Sequence, residues 1–411
     1  MIESGMVIVG AGEAAASAAL ELRAQGWEGP ITMIGEERWQ PYERPPLSKR
    51  ILAASDETGP VFIAGDSFLT NNQIDFLSGC SVVFIDRVSR TVVLADDTTI
   101  RYERLLLATG ARPRQLLVGG AIVPNLLYLR TYADAQKLRT YLCPGKRMVI
   151  IGGGFIGLEA AASAVERGCS VTLIEAGPRI LMRGVSEAIA RIIEERHLQA
   201  GVKLNVGTAL SSISSIEEEH IVVLADGTTI HCDGILAGIG AIPNTLLASA
   251  SGLDVENGVA VNDRLATNDP FIFAAGDCCS FQHPLFGNKR IRLEAWRNAQ
   301  DQGQHAARSM LGAAESFTTV PWFWSDQYEL TLQVTGLPDH GNHVVERDMG
   351  DSGKLFFHLH DDGQLVAVSG IGSSPTLARE IRLGELLIHK QARPDPNALC
   401  DPNVKLKSLL K

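Results

Sequence analysis

A chain of 411 residues is too long for one compact core and reads as two or three domains. Its 45% hydrophobic and 20% charged content is that of an ordinary water-facing globular protein, and a net charge of −10 offers no positive field to nucleic acid, although a local basic patch is compatible with it. The seven cysteines, Cys80, Cys143, Cys169, Cys232, Cys278, Cys279 and Cys400, form no C-x-x-C and no four-thiolate spacing, which argues against a resident iron–sulfur cluster, an adjacent redox disulfide or any other metal site.

In chain order, Met1 to Met6 has neither a basic segment nor a small-residue cleavage site, so no leader is read. Val7 to Gly10 has strand character and runs into Gly10-Ala11-Gly12-Glu13-Ala14-Ala15, a G-x-G-x-x-A that opens an alanine-rich helix pattern. Gly10 permits the tight turn, Gly12 lets backbone approach a pyrophosphate, and the small Ala15 lets helix and strand pack closely. The pyrophosphate would rest on the free N–H groups of the helix start. The strand Ile31 to Glu36 ends in Glu36, placed to accept from ribose hydroxyls. Pro45-Pro46 suits the first turn of a helix leading to Lys49. Leu94 to Pro113, LADDTTIRYERLLLATGARP, reads as a hairpin followed by a buried strand that ends at Ala108-Thr109-Gly110. The apolar stretch Leu116 to Leu129 is too short to span a bilayer and contains Pro124, so the chain is read as cytoplasmic and not membrane-bound.

The plan then repeats. Val149 to Ala161, VIIGGGFIGLEAA, carries Gly152-Gly153-Gly154-Phe155-Ile156-Gly157 between strand and helix, and the next strand ends in Glu175. Leu224 to Pro243, LADGTTIHCDGILAGIGAIP, matches the first closing stretch at half of its positions and passes through Gly240. A lone G-x-G-x-x-G is weak; two, each with strand, helix and acid in place, indicate two dinucleotides, one an electron donor and one a bound carrier. Glu175 favours NADH over NADPH, because a carboxylate accepts from both ribose hydroxyls and repels a 2′-phosphate. Arg179 and Arg183 nearby are the reservation, since arginine holds phosphate.

Thr267 to Asp277 is an apolar strand ending in Gly276-Asp277. Such an aspartate can accept from ribityl hydroxyls; standing alone it reads as a turn with a capping Asp. Lys289, Arg290, Arg292 and Arg297 make a locally basic stretch, either a docking site for an acidic partner or a solvated hairpin. From about Pro321 the style changes: WFWSDQYELTLQVTG, KLFFHLH and QLVAVSGIG read as strands and PTLAREIRLGELLIHK as an amphipathic helix, a separate α+β domain.

These residues together resemble the two-dinucleotide-binding flavoproteins. More closely, the chain resembles the oxygenase-coupled NADH–ferredoxin reductase family of the putidaredoxin reductase and biphenyl-dioxygenase type. The narrowing residues are Pro41-Tyr42-Glu43-Arg44-Pro45-Pro46-Leu47-Ser48-Lys49, Glu294-Ala295-Trp296 and Val320 to Tyr328, and the likeness covers essentially the whole chain. It implies an α/β fold with two Rossmann-like domains of the glutathione-reductase type. FAD would take 1–110 and 243–318, NAD 111–242, and a C-terminal α+β interface domain 319–411.

The resemblance assigns FAD to Gly10, Gly12, Glu13, Ala14, Ala15, Glu36, Arg44, Pro46, Lys49, Val82, Ala108, Thr109, Gly110, Arg130, Gly276, Asp277 and Trp296. It assigns NADH to Gly152, Gly154, Phe155, Ile156, Gly157, Glu159, Glu175, Arg183 and Gly240, and it puts Trp324 on the surface through which electrons leave. Lys49 and Glu159 are its candidate catalytic pair, holding charge that favours reduced flavin and orienting the nicotinamide. Without the family they read as an ordinary surface pair. Relatives that reduce disulfides or peroxides carry a cysteine near Ser48, and this chain has none between Glu36 and Cys80. The implied activity is hydride transfer from NADH to FAD, then delivery of single electrons to a [2Fe-2S] ferredoxin that feeds a P450 or Rieske oxygenase. The protein would be a monomer or homodimer. Rubredoxin or oxygen as acceptor, or a redox-gated interaction protein of the apoptosis-inducing-factor type, are the alternatives.

Overall fold

The computed structural model describes residues 4–54, 56, 58–65, 67–216, 219–373 and 375–410. Residues 1–3, on which the expectation of no leader partly rests, lie outside them. The chain divides into two compact units, each assembled from separate stretches. One comprises Met1–Glu43, Pro60–Arg112 and Ile242–Pro321, the other Arg44–Gly59, Pro113–Ala241 and Trp322–Lys411.

The first unit is built on five parallel strands in the order Asp75–Ser78, Ile31–Gly35, Gly5–Val9, Thr99–Leu107 and Ile272–Ala274. The central strands are buried along their length, which is why they read as unbroken apolar runs. Helix Glu13–Ala24 buries Ala14, Ala15, Ala16, Ala18 and Ala19, and these small side chains let a second helix, Trp296–Met310, lie close against it. A Cβ at Gly303 would come within 2.3 Å of the Ala14 carbonyl oxygen. The LADDTTI segment forms the expected hairpin between Thr91–Leu94 and Thr99–Leu107, with Asp97 in the left-handed region at φ 65°.

The second unit repeats the plan with four parallel strands in the order Lys203–Val206, Ser170–Glu175, Arg147–Ile151 and Gly234–Ala237. Helix Phe155–Glu166 follows the strand Arg147–Ile151, and helix Glu187–Gln199 follows the strand Ser170–Glu175. LADGTTI is again a hairpin, with Gly227 at φ 86°. The same unit contains a five-stranded antiparallel sheet in the order Trp322–Gln327, Leu330–Gly336, Leu365–Gly372, Lys354–Leu359 and His343–Asp348. Helix Pro375–His389 covers it, packing Leu377 and Ile381 over Gly370 and Gly384 over Val368. Among the described residues no helix is long and apolar enough to cross a membrane.

Candidate functional site

The first glycine-rich turn is shaped by backbone. Gly10 sits at φ 121°, and a Cβ there would lie 2.1 Å from the Ala108 carbonyl oxygen, so both its conformation and its surroundings demand glycine. Gly12 is different: a Cβ there would meet nothing within 4 Å. That open space lies at the N-cap of helix Glu13–Ala24, which no side chain caps among the described residues, so the first-turn N–H groups face it unclaimed. Ala15 is fully buried. Gly276, at φ 79°, brings its Cβ position to 3.1 Å from the Ala14 methyl, which sets Gly276 and Asp277 beside the same helix start. Thr109 and Gly110 are clamped by Asn244, whose amide donates to the Thr109 carbonyl at 2.8 Å and whose backbone N–H donates to Gly110 at 2.9 Å. Asn244 was not among the sequence-derived candidates, although it follows the closing AIP of the second repeat. Glu36 is exposed and ends its strand next to the turn, since a Cβ at Gly35 would come within 2.8 Å of the Ala11 methyl. Val82 is half-buried and opens the strand Val82–Asp86.

Glu13 is the unusual member of this turn. Burial pushes its carboxyl up to about 7, and the charge of Glu43 pushes the same way. Hydrogen bonding from Ser17, at 3.0 Å, and from Trp296 and Gln300 only partly opposes this.

The second turn, in the other unit, follows the same rules. Gly152 is at φ 108° with the Gly238 carbonyl oxygen 2.4 Å from its Cβ position, and Gly154 again borders open space. A Cβ at Gly157 would lie 2.1 Å from the Gly152 carbonyl oxygen, so here the third small residue must be glycine. Phe155 meets Phe323 edge-on at 5.1 Å, and Ile156 is 45% exposed at the helix start. Both oxygens of Glu175 are held, accepting from the N–H groups of Gly153 and Gly177 at 2.7 Å each. The Arg179 guanidinium is engaged by backbone, donating to the carbonyls of Ile180, Leu181 and Val185. Arg183 is exposed and approaches Gly240.

The same unit gathers Arg44, Pro46, Lys49 and Arg130. Pro45–Ser48 forms a 3-10 helix with the prolines at its start, as expected of a first turn, and the short α-helix Arg50–Ala53 follows Lys49. Arg44 donates to the Arg130 carbonyl at 2.5 Å. Lys49 Nζ lies 3.1 Å from Glu159 Oε1 and 5.4 Å from the centre of the Trp324 ring. Glu159 is 4% exposed, so the surface-pair reading of Lys49 and Glu159 does not hold. Ser48 donates to Glu159 Oε2, and Ser325 donates to Oε1 at 2.6 Å. Three donors thus converge on one carboxylate. Trp324 stacks on Trp322 at 5.3 Å and donates to Asp326 at 2.9 Å. Ser325 carried no functional signal in the sequence beyond its place in the WFWSDQY motif.

The basic stretch in the first unit is a hairpin, Cys279–His283 with Lys289–Ile291. Its arginines are largely engaged within that unit. Arg290 pairs with Glu256 at 3.0 Å, Arg292 with Glu294 at 2.6 Å, and Arg297 with Asp301 at 3.7 Å. Lys289 is exposed. Among the described residues no group of three or more His, Cys, Asp or Glu is placed to hold a metal ion.

Comparison with known proteins gives two family matches, pyridine nucleotide-disulphide oxidoreductase over residues 4–303 and reductase C-terminal over residues 322–410. The chain is 40% identical over 409 residues to the ferredoxin–NAD(+) reductase component of an anthranilate 1,2-dioxygenase system from Burkholderia cepacia, covering 98% of each chain. It is also 40% identical over 343 residues to a rubredoxin–NAD(+) reductase from Pseudomonas putida, covering 83% of this chain and 89% of the relative. Among solved structures, the covalent putidaredoxin reductase–putidaredoxin complex matches with a TM-score of 0.92 at 35% identity, over 100% of this chain and 99% of the other.

Proposed function

The chain belongs to the pyridine nucleotide-disulphide oxidoreductase family, and we propose that within it the chain is an FAD-dependent reductase working in the cytoplasm. It takes electrons from NADH and hands them to a [2Fe-2S] ferredoxin that feeds an oxygenase. The observation that carries this reading is the Lys49–Glu159 pair beside Trp324, bonded by hydroxyls and not thiols, in a chain that aligns end to end with a ferredoxin–NAD(+) reductase.

The first unit's residues fit a flavin dinucleotide. Gly12 leaves room for a pyrophosphate on uncapped N–H groups, and Gly276-Asp277 offers a carboxylate beside the same helix start. Glu36, at the end of its strand, would take the ribose. The second unit's turn fits NADH: Gly154 leaves the same room, and Glu175 presents fixed negative charge where a 2′-phosphate would have to lie. With Arg179 held by three carbonyls, Arg183 alone of the two arginines remains to offset that repulsion.

FAD, when bound, supplies the conversion between a two-electron donor and one-electron acceptors. The chain's own contribution is positional and electrostatic. Glu159 holds Lys49 in one place, and Lys49 brings a fixed positive charge against the Trp324 ring. We divide the work as FAD on 1–110 and 243–318, NADH on 111–242, and ferredoxin at 319–411, with the region of Lys289, Arg290, Arg292 and Arg297 as a separate candidate contact for it. The ion pairs of the three arginines leave that region only a modest positive field, so steering of an acidic ferredoxin would be weakly salt-dependent.

The test is reduction of cytochrome c by NADH and the purified, flavin-loaded protein, with and without a [2Fe-2S] ferredoxin. Fast reduction only when the ferredoxin is present is the expected result. NADH consumption that no iron–sulfur protein accelerates would overturn it. The likeness to a rubredoxin–NAD(+) reductase supports one competing acceptor, and rubredoxin belongs in the same assay.

A further inference from the structure

We infer that His197 is a positioning residue for the Lys49–Glu159 pair, acting through a chain of hydrogen bonds whose donors all point toward Glu159. The inference rests on the reading of that pair given above.

The direction of the chain follows from one carboxylate. Ser325 Oγ lies 2.6 Å from Glu159 Oε1; facing a carboxylate bonded to Lys49, only the hydroxyl has a proton to give, so that proton points at Glu159. Gln327 must then turn its amide N–H toward Ser325 Oγ, at 3.1 Å. Its Oε1 is left facing His197 Nε2 at 2.9 Å, and Nε2 must carry the hydrogen. In a neutral imidazole Nδ1 is then bare, and it accepts from the Tyr328 hydroxyl at 3.2 Å. One carboxylate therefore sets a serine rotor, an amide orientation, a histidine tautomer and a tyrosine rotor.

The links come from three elements. Glu159 is on helix Phe155–Glu166, His197 on helix Glu187–Gln199, and Ser325 and Gln327 are on strand Trp322–Gln327. Alternation along the strand puts Ser325 and Gln327 on one side and Trp324 and Asp326 on the other. Ser325, Gln327 and His197 are 1%, 3% and 0% exposed, so water cannot replace a missing link. An amide does not relay protons, so the chain orients and does not conduct. Its bonds share one polarity, and each strengthens the next.

The outer end is fixed as well. Tyr328, at φ 56°, meets His197 edge-on at 5.0 Å, and Arg196 covers its ring at 4.0 Å. Arg196 is in turn forked on Glu329 at 2.7 and 2.9 Å. Burial lowers the His197 pKa; the Gln327 bond opposes this and the Arg196 charge adds to it, which keeps the ring neutral.

The first measurement is the 15N spectrum of histidine-labelled holoprotein, with His197 assigned by its loss in His197→Gln. A neutral Nε2–H tautomer across about pH 6 to 8 is expected, and an Nδ1–H tautomer would overturn the inference. The second is the rate of flavin reduction by NADH. His197→Phe should slow it about tenfold, as loss of an outer orienting group does, while His197→Gln, which returns an N–H near Nε2, should stay within about twofold of wild type. Equal rates in His197→Phe and wild type, or a His197→Gln as slow as His197→Phe, would overturn it. Should His197→Phe fail to fold, the tautomer decides. Lys49→Ala separates the two claims: an unchanged rate there removes the reading of the pair with the tautomer intact. A slow Lys49→Ala beside an unaffected His197→Phe removes the inference alone.

Discussion

The two glycine-rich turns are copies of one backbone and opposites in side chain. At each, the first glycine is forced by a left-handed φ and a carbonyl oxygen 2.1 or 2.4 Å from its Cβ position, and the glycine two residues on faces open space. Beyond that the copies part. The first turn continues with a half-buried acid, Glu13, and an alanine; the second continues with Phe155, an exposed Ile156 and an obligatory Gly157. The strand-end acids differ too, since Glu36 is exposed and Glu175 is tied down by two backbone N–H groups. The repeat keeps the backbone geometry of the turn and varies the side chains around it.

The largest effect should come from breaking what the turns share. Alanine at Gly10 or Gly152 must take a left-handed conformation and push a carbonyl aside. At about 1–2 kcal/mol for the first and 1–3 for the second, nucleotide affinity should fall about 100-fold. Gly10→Ala should yield protein that does not retain FAD. Gly152→Ala should retain FAD and bind NADH weakly, as seen by titrating flavin reduction. Loss of both nucleotides in either variant would mean that the turns are not independent sites.

What the sequence made legible is local. The glycines, the strand ends at Glu36 and Glu175, and both LADxTTI hairpins are encoded within a few residues, and each stands where expected. The part that stayed hidden depends on long-range packing. His197, Gln327 and Glu159 come from two helices and a strand, and nothing in the spacing of their residues points to one chain of bonds. The strand His343–Asp348 was missed because it is an edge strand with mostly exposed residues, so its alternation is weak. The turn at Tyr328 was hidden because an aromatic residue takes a left-handed φ usually given to Gly, Asn or Asp. The basic stretch alone did not reveal how far its charge is offset, because the partners of Arg290 and Arg297, Glu256 and Asp301, lie outside it.

A middle-sized effect should separate the strand-end acids. Glu175→Gln keeps one acceptor for Gly153 or Gly177 and removes the charge. Charge-assisted hydrogen bonds are worth about 1.5–3 kcal/mol, so NADH affinity should drop at least about tenfold while NADPH affinity holds or improves. Fluorescence titration with both nucleotides measures the ratio. A ratio unchanged from wild type would place the discrimination elsewhere, with Arg183 the next residue to replace.

The smallest effect concerns the position that follows Gly12 in one turn and Gly154 in the other, Glu13 and Phe155. Burial raises the Glu13 carboxyl from 4.5 to about 7, so the folded protein keeps a proton that the unfolded chain loses over that window. The resulting stability is fully present below pH 4.5 and is lost as pH rises through about 7, at no more than about 1.4 kcal/mol per pH unit for one proton. His305 and His358, whose pKa values burial lowers, act in the opposite sense, so the wild-type curve alone is a mixture. The difference between wild type and Glu13→Gln, followed by urea unfolding of flavin-free protein, isolates the acid and should slope between pH 4.5 and 7 and flatten above it. FAD should sharpen the contrast, because a diphosphate on the same helix start disfavours an ionised Glu13 further, so wild-type FAD affinity should weaken above pH 7 and Glu13→Gln affinity should not. NADH, whose turn carries Phe155 at that place, should show no such dependence. A parallel pH profile for the two nucleotides in wild type would show that the acid does not face the pyrophosphate, and that the difference between the turns is one of packing alone.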